Sequence, residues 1–223
     1  MDVEKTVYLC RHGETESNFE DVVQGYGDML NECGVAQAML LSKRLLRISR
    51  RDVPIEIIYS SIMTRAFHTA TIIGEALNLP VHHSRDLMEC LTPSQFHGHP
   101  AKDPEYIAYK KARAHIFAAN VQISDEETFA MVCFRAQTFE RMLRKSTSAC
   151  AVVVTHNMFL TYLLNIMRHG KDFTPEMFLR SSEVFENTAV VKAEYGTLNN
   201  IMRAGKKGWR IWTGDARHLG NNV

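Results

Sequence analysis

Residues 7–18 of this chain are VYLCRHGETESN, and this stretch decides which fold the sequence favours. Four residues typical of a buried strand run directly into an arginine, a histidine and a glycine, and a polar, helix-starting segment follows. The pattern predicts a parallel strand that ends in a loop opening a helix. Ligands of open α/β sheets bind at the carboxyl ends of strands. Arg11 and His12, with Gly13 allowing close backbone approach and helical N–H groups behind it, therefore favour a phosphate ligand.

The composition is that of one soluble globular domain with room for a small insertion. The 223 residues are 45% hydrophobic and 23% charged, with a net charge of +1, which gives no reason to expect nucleic acid or an anionic membrane as a partner. The longest apolar runs, such as 149–154, are too short to span a bilayer. The acidic N-terminus leads directly into a strand, so we expect no signal peptide. Five cysteines, an odd number without a CxxC pair, predict a reduced cytoplasmic setting.

The first half of the chain alternates strands with helices. Strands are predicted at 6–10, 56–60 and 81–83. Asn31 is expected to cap a helix between the first two strands, and a second helix is expected over 61–79, where a proline follows. This rhythm predicts a parallel sheet with crossover helices.

The second half predicts a long loop, three helices and three more strands. The loop covers 89–104, and the strands cover 149–154, 183–195 and 208–213. The helices cover 106–119, 124–144 and the segment after Asn157 through Met167. The first helix is expected to lie over the site as a partial lid, and a Ser124/Glu127 capping box is expected to start the second. The last two strands are expected to pair at one edge of the sheet.

Four chemically active side chains follow predicted strands. His12 and His156 each come almost directly after an apolar strand, Arg65 comes near a helix start, and Glu89 comes after the third strand. Strand ends of a parallel sheet meet at one edge, so these side chains are expected to face one pocket together with Arg11. Two arginines and two histidines suit a phosphate dianion, with one carboxyl group left as a proton donor. This set favours phosphoryl transfer without a metal.

Three other interpretations are less favoured. A metal site built on His97 and His99 with His82 and His83 lacks matching carboxylates or cysteines. A cysteine phosphatase needs an arginine six residues after a cysteine, and none of the five cysteines has one. A second Arg-His-Gly at 168–170 follows a predicted helix and indicates a C-terminal cap.

The ordered motifs resemble the histidine phosphatase superfamily, which includes cofactor-dependent phosphoglycerate mutases, acid phosphatases and broad-specificity phosphatases. The resemblance starts at residues 11–15 and continues with Asn18 and Gln24-Gly25. Further segments similar to the family lie at 30–38, 60–70, 87–89, 153–156, 185–189 and 209–219. The ending with Asp215 and His218 resembles the phosphatase branch, and the interval from Glu89 to His156 looks too short for a mutase insertion.

The resemblance implies a three-layer αβα sandwich with a mostly parallel central sheet, phosphoglycerate mutase-like. Residues 1–223 then form a single domain with a partly helical, cap-like insertion at about 91–130. The implied enzyme is a phosphoric monoester hydrolase of the histidine acid phosphatase type. No cofactor and no metal are expected.

The resemblance also implies a role for each matching residue. His12 attacks phosphorus and becomes a phosphohistidine. Arg11, Arg65 and His156 bind the phosphoryl oxygens, and Glu89 protonates the leaving oxygen before assisting a water molecule. Further phosphate contacts are expected from four residues: Asn18, Gln24, Gly25 and Asn157.

Several alternatives stay open at this point. A mutase-type phosphotransferase is the second choice, and a weakly catalytic or non-catalytic phosphate-binding scaffold is a third from another class. Asn157 stands where the family usually has glycine, and 90–98 matches the family only loosely, so the substrate is not determined. We expect a small phosphorylated substrate, with a phosphoprotein as the other option, and neither nucleic acid nor a membrane as partner. The oligomeric state is open, with a homodimer as one option.

Overall fold

The fold follows the predicted rhythm of strands and crossover helices. A computed structural model describes residues 2–181, 183–198 and 205–220. Its strands are β1 (Asp2–Arg11), β2 (Ile57–Ser61), β3 (Val81–Ser84), β4 (Cys150–Thr155), β5 (Val190–Thr197) and β6 (Lys207–Ile211). Its α-helices are α1 (Glu16–Phe19), α2 (Glu32–Arg51), α3 (Thr64–Leu77), α4 (Pro104–Ala119), α5 (Phe129–Lys145), α6 (Asn157–His169) and α7 (Pro175–Arg180).

The six strands form one sheet in the order β3-β2-β4-β1-β5-β6. The pairs β1–β4, β2–β4 and β2–β3 are parallel, whereas β5 runs antiparallel to β1 and β6 antiparallel to β5. The predicted mostly parallel sheet is therefore confirmed, as is the late pair at its edge.

Helices cover both faces of this sheet. Successive side chains of a strand point to opposite faces. In β1, Val7 and Leu9 pack in the core formed with α5 and α6, whereas Tyr8 and Cys10 pack in the core formed with α2 and α3. The result is the expected three-layer αβα sandwich.

The strand order creates a crevice at the carboxyl ends of β1 and β4. From β1 the chain crosses over to β2 on one side, and from β4 it crosses to β5 on the other side. Such a reversal of direction between two adjacent strands is where open α/β sheets bind ligands. His12 follows β1 and His156 follows β4, so the topology brings both to this crevice.

Two predicted ends of helices are confirmed. Asn31 caps α2, because its side-chain oxygen accepts the N–H of Gly34 at 2.8 Å. The Arg-His-Gly at 168–170 ends α6, and Gly170 adopts a φ of +61° that glycine tolerates without strain.

The predicted start of the helix at 124–144 is wrong. The helix begins at Phe129, and Thr128 is its cap, accepting the N–H of Met131 at 3.3 Å. The Ser124/Glu127 capping box does not form, since the Glu127 carboxylate binds Arg135 at 2.7 Å instead. Residues 124–126 form a turn in which the Glu126 carboxylate accepts the N–H groups of 123 and 124.

The prediction of a strand at 183–195 is also corrected. β5 begins only at Val190, because the chain turns sharply at Thr188, which has a φ of +59°. The helix predicted over 61–79 is shorter as well: α3 runs from Thr64 to Leu77, and Asn78 ends it in the left-handed region. That residues 91–130 form an insertion in a single domain stays a prediction.

Candidate active site

His12 lies at the end of β1 with its ring orientation fixed. The residue is 1% exposed, and its Nδ1 lies 2.7 Å from the carbonyl oxygen of Gly13. A carbonyl oxygen can only accept, so Nδ1 carries the proton and Nε2 keeps a free lone pair. Burial, together with the charges of Arg65 and Arg11, lowers the pKa of His12 well below its ordinary value. The ring is therefore neutral at neutral pH.

Two arginines lie beside this histidine, Arg65 fully buried and Arg11 partly buried. Arg65 donates from Nη1 to the carbonyl of Gly25 at 2.7 Å, and Arg11 donates from Nη1 to the carbonyl of Phe185 at 2.6 Å. The Nε atoms of both side chains are buried without a hydrogen-bond partner among the residues that the structure describes. Burial lowers the pKa of both groups, although a guanidinium stays charged at physiological pH. Two cations with unused donors form a site for an anion.

His156 follows β4 and lies beside His12. The ring centroids are 5.1 Å apart with the planes tilted by 58°, and Nε2 lies 2.9 Å from the hydroxyl oxygen of Ser61. Its Nδ1 is buried and has no partner within the described ranges. Burial, then Arg65, His12 and Arg11, lower the pKa of His156 well below its ordinary value. A neutral ring with one unused nitrogen remains for a ligand.

Glu89 binds the amino end of α6. Its carboxylate accepts three backbone N–H groups, from Cys90 at 2.9 Å, from Phe159 at 2.9 Å and from Met158 at 3.2 Å. Two of these donors belong to the first turn of the helix, where backbone N–H groups otherwise lack partners. The Glu89 side chain therefore caps the first turn of α6.

The backbone N–H groups of residues 12–15, which lie just before α1, bind acceptors within the protein. These N–H groups donate in turn to Thr155 O at 3.0 Å, Thr69 Oγ1 at 3.0 Å, Gln37 Oε1 at 2.9 Å and Asn18 Oδ1 at 3.3 Å. Gly13 is required for packing instead, because a Cβ there would lie 2.5 Å from the carbonyl oxygen of Gly34. The side chains of Arg11, Arg65 and His156 have buried nitrogen atoms without a partner among the described residues, and these are available to an anion.

A cavity of about 330 Å³ opens next to the two histidines. The predicted residues among those lining it are Arg11, Asn18, Gln24, Gly25, Arg65, Glu89 and Asn157. Tyr106 and Lys110 of α4 also line it, so the helix expected as a partial lid does border the site. The rings of His12 and His156 are buried beside Arg11 and Arg65 and are not part of the cavity lining.

The four secondary positions also contact other parts of the protein. Gln24 donates to Thr15 Oγ1 at 2.6 Å, and the carbonyl of Gly25 accepts from Arg65. Asn157 accepts the N–H of Phe185 through Oδ1 at 2.9 Å. Asn18 accepts two N–H groups through Oδ1, which leaves its NH2 group for a ligand. These residues therefore build the walls of the cavity as well as lining it.

A family model described as the histidine phosphatase superfamily, branch 1, matches residues 7–203. The chain belongs to the histidine phosphatase superfamily. The family is thus shown over most of the chain, in agreement with the resemblance carried by the motifs.

Individual relatives of this superfamily match a shorter segment. A 2,3-bisphosphoglycerate-dependent phosphoglycerate mutase of a Methylobacterium species is 34% identical over 79 residues, 35% of this chain and 36% of the relative. An adenosylcobalamin/alpha-ribazole phosphatase of Salmonella typhimurium is 34% identical over 84 residues, 37% of this chain and 39% of the relative. The matched segments span little more than a third of these proteins, which include both mutases and phosphatases.

The fold itself is similar to solved structures over almost its whole length. A mycobacterial glucosyl-3-phosphoglycerate phosphatase superposes with a TM-score of 0.71 at 20% identity, covering 93% of this chain and 96% of that chain. This likeness establishes the phosphoglycerate mutase-like fold of the histidine phosphatases for this chain.

Two residues that support this site were not identified from the sequence. Ser61 binds His156, and Asn187 donates to the carbonyl oxygen of His12 at 3.1 Å and to Asn18 Oδ1 at 3.1 Å. Both lie in segments similar to the family, but nothing local distinguishes them from other polar residues near strand ends.

The histidines weighed as a metal site do not converge. His97 lines the cavity, His99 binds Asp103 at 3.1 Å, and His82 packs against Tyr59. Within the described ranges, no group of three or more His, Cys, Asp or Glu side chains is arranged to hold a metal ion. None of the described helices is long and apolar enough to cross a membrane.

Proposed function

We propose that this protein is a phosphomonoester hydrolase that works without a metal through a phosphohistidine on His12. The observation that carries the proposal is the state of the His12 ring. Its Nδ1–H is bound to the carbonyl of Gly13, so the lone pair is on Nε2. The buried Arg65 and the partly buried Arg11 adjoin it, each with an Nε donor that has no partner among the described residues. A neutral imidazole beside a site for an anion suits nucleophilic attack on phosphorus.

The first half of the reaction transfers the phosphoryl group to the enzyme. Nε2 of His12 forms a bond to phosphorus while the bond to the substrate oxygen breaks. Arg11, Arg65 and His156 bind the phosphoryl oxygens, over which the negative charge spreads. In the second half, water attacks the phosphohistidine, which releases inorganic phosphate and restores the lone pair on His12.

Glu89 is proposed as the group that protonates the leaving oxygen and later takes the proton from water. Its side chain lines the cavity and is held at the amino end of α6 by three backbone N–H donors.

Hydrolysis of p-nitrophenyl phosphate in excess EDTA tests the proposal. The wild type is expected to be active, and His12→Ala is expected to lose at least about 10³-fold in kcat, because the nucleophile is removed. His169→Ala is the matched control, since it removes the exposed histidine of the second Arg-His-Gly and should leave the rate unchanged. Activity retained by His12→Ala would contradict the proposal.

A mutase-type phosphotransferase is the second candidate, favoured by the mutase among the relatives. It predicts that phosphoglycerate is isomerised only when a bisphosphoglycerate is present. Tight phosphate binding without turnover in either assay would instead indicate a binding or scaffold role.

The size of the cavity supports a small phosphorylated metabolite as substrate rather than a folded phosphoprotein. Its volume of about 330 Å³ is near the lower end for small-molecule sites.

We further propose that the enzyme works in the cytoplasm and is of the histidine acid phosphatase type. All five cysteines are free thiols, which suits a reducing compartment.

A further inference from the structure

Thr188 has a strained backbone next to the site. Its φ is +59°, and the residue is fully buried. Of the four described non-glycine residues with positive φ, the other three are Asn or Asp, which tolerate this region. A β-branched residue there is an outlier that the surrounding structure must impose, and such outliers cluster at functional sites.

The turn that contains Thr188 holds the backbone of the nucleophile. The N–H of Thr188 and the side-chain amide of Asn187 both donate to the carbonyl oxygen of His12, at 3.2 and 3.1 Å. The carbonyl of Ala189 accepts the N–H of Arg11 at 3.2 Å. The turn therefore fixes the main chain of two adjacent residues of the site.

The side chain of His218 contacts the strained residue from the other side. Its Nε2 lies 2.9 Å from Thr188 Oγ1, and the Thr188 hydroxyl donates its single proton to the carbonyl of Asn187 at 2.7 Å. His218 must therefore be the donor, from Nε2–H. Its Nδ1 is then free to accept from Arg44 at 3.3 Å, and Arg44 is itself held by Asp215 at 2.7 Å.

The hydrogen bonds to Thr188 and Arg44 together require a neutral His218, with its proton on Nε2. Protonation of Nδ1 would place an N–H against the guanidinium of Arg44. Burial, with Arg44 beside it, lowers the pKa of His218 to about 4. His218 and Thr188 are not among the residues lining the cavity next to His12, so any effect on the reaction passes through the backbone.

We propose that His218 is a positioning residue for the nucleophile: its Nε2–H holds Thr188 in the left-handed conformation, which keeps the donors of 187 and 188 on the carbonyl of His12. This inference rests on the proposed function of His12. It assigns a role in the reaction to the turn at 217–219, which does not line the cavity next to His12.

A double-mutant cycle tests this mechanism. His218→Ala is expected to lower kcat for p-nitrophenyl phosphate by about tenfold with KM within about twofold, since a small misplacement of a reacting group slows the chemical step. His218→Gln retains a donor and an acceptor and should restore most of the rate. His169→Ala makes the same change at an exposed histidine outside this network, is the matched control and should match the wild type.

The decisive comparison uses Thr188→Gly. Glycine adopts positive φ without a side-chain anchor. In the Thr188→Gly background, His218→Ala should therefore have little further effect on kcat. A tenfold loss that persists in this background would overturn the proposal, and so would full activity of the single His218→Ala variant.

The NMR signal of the His12 Nδ1–H proton provides a readout that needs no turnover. It is expected to shift or broaden in His218→Ala and to return towards the wild-type position in Thr188→Gly/His218→Ala. An inactive wild-type chain would overturn the proposed function, but this signal would still test the role of His218. If the signal does not change in His218→Ala, the proposal that His218 positions the nucleophile is overturned.

Discussion

The side chain of Asn157 occupies a position where the histidine phosphatase pattern usually has glycine, and it reaches the main chain of Phe185. Its Oδ1 accepts the N–H of Phe185 at 2.9 Å, and the carbonyl of Phe185 accepts from Arg11 at 2.6 Å. Asn157 is the first residue of α6 and has ordinary helical geometry rather than the left-handed conformation that asparagine also tolerates. The residue thus helps to hold an arginine that faces the cavity.

Asn157→Gly is expected to weaken the binding of orthovanadate, a phosphate analogue, by about tenfold, the size of one lost hydrogen bond. The reason is that Phe185 and then Arg11 lose a fixed partner. Isothermal titration measures the affinity. Asn78→Gly makes the same change at the left-handed end of α3 and should leave binding unchanged. Equal affinity for all three proteins would contradict this role.

Replacement of Glu89 by glutamine separates its proposed role as proton donor from its role as the cap of α6. Protonation of the leaving oxygen matters most for a poor leaving group. The rate of hydrolysis of an alkyl phosphate should therefore fall by about 10²-fold or more, whereas the rate with p-nitrophenyl phosphate should fall much less. Thermal unfolding should report a loss of about 1 kcal/mol, because the charged cap of α6 is removed. Glu75→Gln, on the exposed face of α3, is the control. An equal loss of rate on both substrates would contradict proton donation.

At the residue scale, the charged and histidine side chains of the site can be predicted from the sequence, but most of the polar residues that bind them cannot. Arg11, His12, Arg65, Glu89 and His156 were recognisable because each lies near a strand end. Ser61 and Asn187 were not, since their bonds join residues that are 95 and 175 positions apart in the chain. The acceptors of the backbone N–H groups at 12–15 are not predictable from local sequence for the same reason, because they include Thr69 on α3 and Gln37 on α2.

At the scale of elements, the loop after β1 packs directly on the start of α2. A Cβ on Gly34 would lie 2.0 Å from the carbonyl oxygen and 2.7 Å from the nitrogen of Glu14. Two stretches of backbone meet here, so neither can yield as a flexible side chain would. The contact fixes the position of the loop that carries His12.

Gly34→Ala is expected to destabilise the protein by about 1–3 kcal/mol, the usual cost of overpacking, and to lower the hydrolytic rate. Chemical denaturation and the p-nitrophenyl phosphate assay measure the two effects. Gly27→Ala is the matched control, because nothing lies within 4 Å of a Cβ at that position. A Gly34→Ala protein with unchanged stability would disprove the close contact.

Regular elements with strong periodicity were predictable, and their ends were less so. The apolar spacing of α2 favours a helix, and the unbroken apolar run of β4 favours a buried strand. The start of α5 was misplaced because both Ser124 and Thr128 are good caps, and tertiary contacts decide between them. Glu127 binds Arg135 and the N–H of Leu91, which removes it from a capping box. Local sequence contains no information on that competition.

At the scale of the whole molecule, the parallel arrangement followed from the alternation of strands and helices. The position of β1 between β4 and β5 did not, since strand order depends on which crossovers pack best and not on any one segment. That order is what places His12 and His156 side by side. Their proximity could be expected from the general rule for strand ends, but the 5.1 Å separation could not.

Folding stability is expected to fall as the pH drops below about 6.5, the ordinary pKa of histidine in an unfolded chain. His12 and His156 have lowered pKa values in the folded protein, chiefly through burial. Below that pH the unfolded chain takes up protons that the folded protein does not, so the free energy of unfolding decreases. The slope for the pair is up to roughly 2.7 kcal/mol per pH unit.

Urea unfolding between pH 7 and pH 5.5 measures this dependence, and this range avoids most carboxylate titration. His156→Asn should halve the contribution that His12 and His156 make to the slope of unfolding free energy against pH. His169→Ala, at an exposed position, should leave that slope unchanged. A free energy of unfolding that stays constant or rises over this range would contradict the neutral buried state of the two rings.

The most direct test of the proposed chemistry is to trap the phosphoenzyme. Wild-type protein is mixed with p-nitrophenyl phosphate, quenched in alkaline denaturant within the first turnover, and analysed by mass spectrometry of its peptides. We expect one phosphoryl group on His12, stable in alkali and lost in acid, and none in the His12→Ala protein. Phosphate on another side chain, or a first turnover of p-nitrophenol with no phosphoryl group on His12, would contradict nucleophilic catalysis by this residue.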